Sequence, residues 1–189
     1  QQSQSGRVVT LVAVTGGAVY VAPAGGALWT AATNATGFTL NTTGVVRSAS
    51  NSQKLWFADG SSWLYYDPSD NAMHVWTASA GSLPGDSTNR PRLIANWRGR
   101  IVLSGVENDP QNWFMSAVDD PTDFDYAPDP FVVTQAVAGN NSPLGLVGDV
   151  ITCLIPYSDD VLIFGGDHTI YACRGDPADG GSIDLVSSK

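Results

Sequence analysis

The chain repeats one short sentence of residues: a polar turn, an apolar strand, a Gly or Asp turn, an aromatic strand and an Asp-Pro break. It reads Ser52-Gln53-Lys54, Leu55-Trp56-Phe57-Ala58, Asp59-Gly60, Trp63-Leu64-Tyr65-Tyr66 and Asp67-Pro68. It returns from Trp97-Arg98-Gly99-Arg100 through Ile101-Val102-Leu103-Ser104 to Trp113-Phe114-Met115-Ser116 and Asp120-Pro121. A third copy runs from Ser158-Asp159-Asp160 through Val161-Leu162-Ile163-Phe164 and Gly165-Gly166-Asp167 to Ile170-Tyr171-Ala172 and Asp176-Pro177. A fainter one opens at Gly16-Gly17, with Ala18-Val19-Tyr20-Val21 and Leu28-Trp29. Apolar runs this short, bounded by turn residues and repeated, predict an all-β chain of repeated antiparallel sheets in the manner of propeller blades.

Composition points the same way. Glu107 is the only glutamate and Lys54 and Lys189 are the only lysines, against 20 Gly and 11 Pro. The usual fillers of exposed helix faces are therefore scarce, and the residues that punctuate turns abound. Four units follow, at 7–51, 52–96, 97–149 and 150–189, with opening turns near Gly16, Ser52, Arg98 and Ser158, spaced by 36, 46 and 60 residues. The last spacing is stretched by an insertion between Tyr126 and Gly148, where Pro128, Pro130, Asn140-Asn141 and Pro143 break any continuous strand. Such long loops often carry function. Ser182 to Ser187 reads as the fourth strand of the last unit, and no further unit follows it to close a circle. The expectation is a segment of a longer chain, or a propeller completed by other residues.

Cys153 and Cys173 fall on the first and third strands of the last unit. Two strand spacings of about 4.8 Å exceed the roughly 7 Å Cα separation a disulfide allows, so free, mostly buried thiols are expected. No stretch approaches the ~20 apolar residues of a membrane span. The opening Gln1 to Ser5 has no signal-peptide pattern, which predicts the cytoplasm or a particle assembled there. The triplets at Asn34, Asn41 and Asn140 then read as accidental matches to the glycosylation signal.

The candidate chemistry is thin. Asp119, Asp120, Asp123 and Asp125 lack the spacing and distal Glu of a calcium loop and read as a solvated turn. His74 and His168 are the only histidines, and no Gly-x-Ser-x-Gly elbow presents a nucleophile to either. Seventeen aspartates make some glycosidase-like carboxyl pair unavoidable, but most sit in predicted turns, where Asp bonds its own backbone. No cofactor or metal site is expected. The six tryptophans suit packing between sheets better than a carbohydrate groove. A formal charge of −9 fits a general nucleic-acid coat poorly over the whole chain and leaves room only for local exceptions. The one basic concentration, Arg90, Arg92, Arg98 and Arg100, suits either contact with DNA in a lumen or pairing with Asp across an interface, with interface pairing favoured.

The stretch Arg90 to Gly105, with Asp109 to Ser116, Asp120 to Tyr126 and the later Asp149 to Tyr171, resembles the β-propeller tail proteins of tailed bacteriophages, the nozzle or tail-tubular components below the portal and its adaptor. The resemblance covers about half the chain and implies a structural virion protein in the tail, assembled in the host cytoplasm. It also implies copies joined in a ring, commonly a hexamer, beside portal-adaptor neighbours, with DNA passing transiently through. An acidic lumen that repels phosphate fits that passage. Those proteins are several times longer than this chain, and the resemblance implies no enzymatic activity. The rival expectations are a carbohydrate- or receptor-binding tail propeller and, behind it, a glycan-cleaving tail enzyme.

Overall fold

A computed structural model describes residues 10–23, 26, 28–33 and 39–188. The opening Gln1 to Ser5, the start of the first unit, the Asn34 triplet and Lys189 lie outside these. Among the described residues there is no helix, and none is long and apolar enough to cross a membrane.

Four antiparallel sheets follow one another along the chain. The first joins β1 (Thr10–Thr15), β2 (Ala18–Pro23) and β3 (Thr30–Ala31), and the second joins β4 (Arg47–Asn51), β5 (Lys54–Ala58), β6 (Leu64–Asp67) and β7 (Ala72–Val75). After β8 (Ala80–Gly81) comes the third, made of β9 (Leu93–Trp97), β10 (Arg100–Val106), β11 (Asp109–Met115) and, beyond β12 (Asp123–Phe124), β13 (Val137–Ala138). The fourth holds β14 (Ile151–Ser158), β15 (Val161–Gly166), β16 (Thr169–Arg174) and β17 (Ser182–Ser188). Neighbours in sequence are neighbours in each sheet, and β8 and β12 pair in parallel as a small clasp between the second and third. These are propeller blades, with β4, β9 and β14 brought together as innermost strands.

Side-chain alternation along each strand builds the layers between blades. In the third blade Leu93, Ala95, Trp97, Val102, Trp113 and Met115 face the fourth, against Leu162, Phe164 and Cys173. The residues between them, Ile94, Ile101, Leu103 and Phe114, face the second blade, against Trp56, Ala58 and Trp76. The second blade turns Phe57, Leu64, Tyr66 and Met73 the other way, onto Val19, Val21 and Leu40. A strand packed on both faces has to be apolar at every position, which is why Ile101-Val102-Leu103 reads as a continuous run. Cys153 and Cys173 are free thiols on β14 and β16, and burial pushes the Cys173 thiol up to about 12.

The unit boundaries differ from those expected. Asn51 pairs with Lys54 and Trp97 with Arg100, so the breaks placed at 51/52 and 96/97 fall beside or inside hairpins. Each blade starts one strand earlier, whereas the break at 149/150 precedes β14. The cause is local: a two-residue polar turn looks the same whether it separates blades or folds one strand onto the next. The insertion between Tyr126 and Gly148 also contains β13, the outer strand of the third blade, paired to β11 through Phe114 and Met115.

The hairpin turns carry a backbone demand. Gly16-Gly17, Ser52-Gln53 and Arg98-Gly99 all have both central residues at positive φ, the signature of a type I′ turn matched to strand twist. Gln53 at φ 61° adopts this without the freedom of glycine. Gln53→Gly is therefore expected to raise unfolding free energy by about 1 kcal/mol, read from a denaturant midpoint at unchanged slope.

Candidate functional site

The arginine cluster separates into two groups at opposite ends of the third blade. Arg98, on the β9–β10 turn, donates through Nη1 to the Asp159 carbonyl at 3.0 Å, with Asp160 Oδ1 3.6 Å away. Arg100 is fully buried. Its guanidinium donates to the Ser116, Val133, Thr134 and Gln135 carbonyls, and Nη2 meets Asp176 Oδ1 at 3.2 Å. One side chain thus ties the loop before β13 to the β16–β17 turn of the next blade. Burial lowers its pKa, the Asp176 charge opposes that, and a guanidinium stays protonated in any case. DNA contact by Arg100 is excluded by this burial, and pairing with Asp is realised between blades of one chain.

Arg90 and Arg92 lie at the other end. Arg90 Nη1 donates to the Ser61 carbonyl, and Arg92 Nη2 donates to Glu107 Oε2 at 2.6 Å. Arg47, which the sequence does not single out, joins them: its Nη1 donates to the Arg92 carbonyl at 3.1 Å. Its only sequence signal is a lone basic residue before the small-residue strand Ser48-Ala49-Ser50. Arg47, Arg92 and Glu107 border a cleft of about 370 Å³ between the starts of β4, β9 and β14.

The carboxylates serve as turn caps. Asp59 accepts from the Ser61, Ser62 and Asn41 amides and the Ser62 hydroxyl; burial raises its pKa, but these bonds outweigh it and the net shift is downward. Asp149 accepts from the His168, Thr169 and Val150 amides and from Thr169 Oγ1, which holds its carboxyl down to about 2. Asp120 accepts from Thr122, Asp123 from the Asp125 amide and Asp125 from the Ala127 amide, so the acidic cluster is a chain of such turns. Among the described residues no group of three His, Cys, Asp or Glu is placed to hold a metal. His74 pairs with Asp70 at 2.9 Å and His168 lies beside Asp149. No serine or threonine hydroxyl bonds either imidazole among the described residues.

Trp56, Trp76, Trp97 and Trp113 are buried between blades, Trp63 packs against the second layer, and Trp29 is half exposed. Three of the buried indoles also donate across element boundaries: Trp76 to Pro121, Trp97 to Ser158 and Trp113 to Gly145, at 2.8–3.1 Å. Asn41 is held by its own turn, accepting from the Thr43 and Gly44 amides.

No protein-family model and no curated protein sequence matches the chain. Among solved structures it is similar to YCF48 from Cyanidioschyzon merolae, with 13% identity and a TM-score of 0.55 over 100% of this chain. The chain spans 62% of that structure's length. At that identity the likeness is one of fold, and it agrees with the propeller-like blades described above.

Two outcomes follow. Arg100→Ala leaves Asp176 and four carbonyls without their donor and should cost about 3–5 kcal/mol, whereas Arg98→Ala, an exposed pair, should cost under about 1 kcal/mol; urea unfolding of the two variants separates them. The low folded-state pKa of Asp149 means its contribution is full above the unfolded value near 3.9 and fades as pH falls toward about 2. Asp149→Asn should therefore destabilise at pH 7, and its gap from the parent should close as the melts are taken below about pH 4.

Proposed function

We propose that this chain is a structural component of the tail of a tailed bacteriophage, a nozzle or tube part whose copies assemble into a ring through which DNA passes. The observation that carries this reading is the outer face of the fourth blade. Along β14 to β16 it presents Ile155 and Ile170, 48% and 44% exposed and paired with Ile163 and Gly165, with Tyr157, 74% exposed, at the register shift of β14. The buried layers lie between successive blades and none covers this face among the described residues, so it suits a partner in an assembly. The loop before β13 adds exposed Phe131, Val132 and Val133, leading into the Val133, Thr134 and Gln135 carbonyls that accept from Arg100.

Further support comes from the polar residues. Asp59, Asp149, Asp176 and Arg100 are each committed to capping or to joining blades, which favours a scaffold over a catalyst. The residues that carry the phage resemblance occupy the third blade and most of the fourth. The ring would have neighbouring tail or portal-adaptor proteins above and below it, with assembly in the bacterial cytoplasm. A sugar-binding groove lined by several tryptophans is disfavoured, because four of the six are buried.

Electron microscopy of phage particles from the source sample, with gold-labelled antibody raised against this chain, tests the reading. Label on the tail between capsid and tip is the expected result. Label on distal fibres would transfer the chain to receptor binding, and particles without label would contradict a virion role.

A further inference from the structure

The cleft between the starts of β4, β9 and β14 belongs to none of the roles above. Its floor is apolar, built from Leu93, Val106 and Ile151, and its rim carries Arg47, Arg92 and Glu107. The charges there do not balance. Among the described residues the ion pairs leave Arg47 out, and Arg92 shares the single carboxylate of Glu107. Two guanidiniums therefore stand against one anion, in a chain whose formal net charge is −9. A local cationic excess against that background attracts anions.

The geometry narrows the class of anion. Arg47 spends Nη1 on the Arg92 carbonyl, which holds its guanidinium against the Arg92 backbone at the cleft that both residues line, and Arg92 spends Nη2 on Glu107. Each keeps further N–H donors, and a planar guanidinium fork fits carboxylate and phosphate oxygens. The Arg92–Glu107 pair is 55% and 66% exposed, so its loss costs little. Glu107 occupies the position that an incoming oxyanion would take on Arg92. Below the rim, the apolar floor and a volume of about 370 Å³ suit an anion that carries a body, such as a sugar and base.

We propose that this cleft binds the phosphate group of a nucleotide or nucleic-acid strand, with Arg47 and Arg92 holding the phosphate oxygens and Glu107 leaving Arg92 as the phosphate arrives. No bond is made or broken. The site is independent of the tail assignment, because a phosphate ester binds there whatever particle the chain belongs to. Arg98 takes no part, since it lies on the opposite turn of the third blade and reaches Asp159.

The test follows arginine Nε–H resonances by NMR while inorganic phosphate, thymidine monophosphate and a short DNA duplex are titrated separately into the protein, its Arg47→Ala variant and its Glu107→Gln variant. Saturable shifts at Arg47 and Arg92 are expected, with affinity about tenfold weaker in Arg47→Ala and several-fold tighter in Glu107→Gln. Both positions are exposed, so the variants should keep the parent circular dichroism spectrum. A response to the duplex at the same two arginines, with log affinity falling against log salt at about the slope of one phosphate contact, assigns the site to nucleic acid. A response to the monophosphate alone assigns it to free nucleotides. The proposal is overturned by no shift with any of the three, by shifts spread over Arg90, Arg98 and Arg174 that ignore Arg47→Ala, or by Glu107→Gln weakening the binding.

Discussion

A sheet stacked between two others must be apolar on both faces, and this requirement organises the molecule. The third blade meets it through strict alternation: Trp97, Val102, Trp113 and Met115 on one side, Ile94, Ile101, Leu103 and Phe114 on the other. Each fully buried large side chain is worth roughly 1.5–3 kcal/mol of transfer free energy, so this sheet holds its neighbours far more strongly than any exposed ion pair does. The second blade has both faces covered in the same way. The fourth covers one face against the third, and its other side carries the exposed Ile155, Tyr157 and Ile170.

Polar chemistry is subordinate to that stack. Turns at the blade ends need acceptors for free amides, and aspartate supplies them in short Asx turns at Asp59, Asp67, Asp86, Asp120 and Asp176. The acidity of the chain thus follows in large part from its turn chemistry. Between blades a second set of bonds fixes rotation: Asn51 donates to the Gly99 carbonyl, Trp97 to Ser158, and Arg98 to Asp159. Each runs from the hairpin turn region of one blade to that of the next. Arg100 extends the principle into the interior, where its fork satisfies carbonyls of an irregular loop that no strand partner could reach.

Strand content, turn positions and the packing role of the tryptophans were legible in the sequence because they are local: apolar runs, Gly and Asp pairs, and aromatic spacing all act within a few residues. Blade boundaries were less so. Which strand a two-residue turn joins depends on pairing across the sheet, and Asn51 to Lys54 is indistinguishable by composition from a linker. The arginine cluster was visible as a concentration, but its division was not. Arg98 and Arg100 point toward the fourth blade while Arg90 and Arg92 lie at the far end of the same sheet, a separation set by strand length rather than residue spacing. Arg47, far from them in sequence, joins Arg92 only through the adjacency of β4 and β9.

Hydrogen–deuterium exchange resolved to single strands tests the stacking account most directly, because protection reports how well each sheet is covered. The amides of β10 and β11 should exchange most slowly of the described strands, with β17 among the fastest. Equal protection of β10 and β17, or a third blade that opens before the fourth, would contradict the claim that two-sided burial of the third blade holds the structure together.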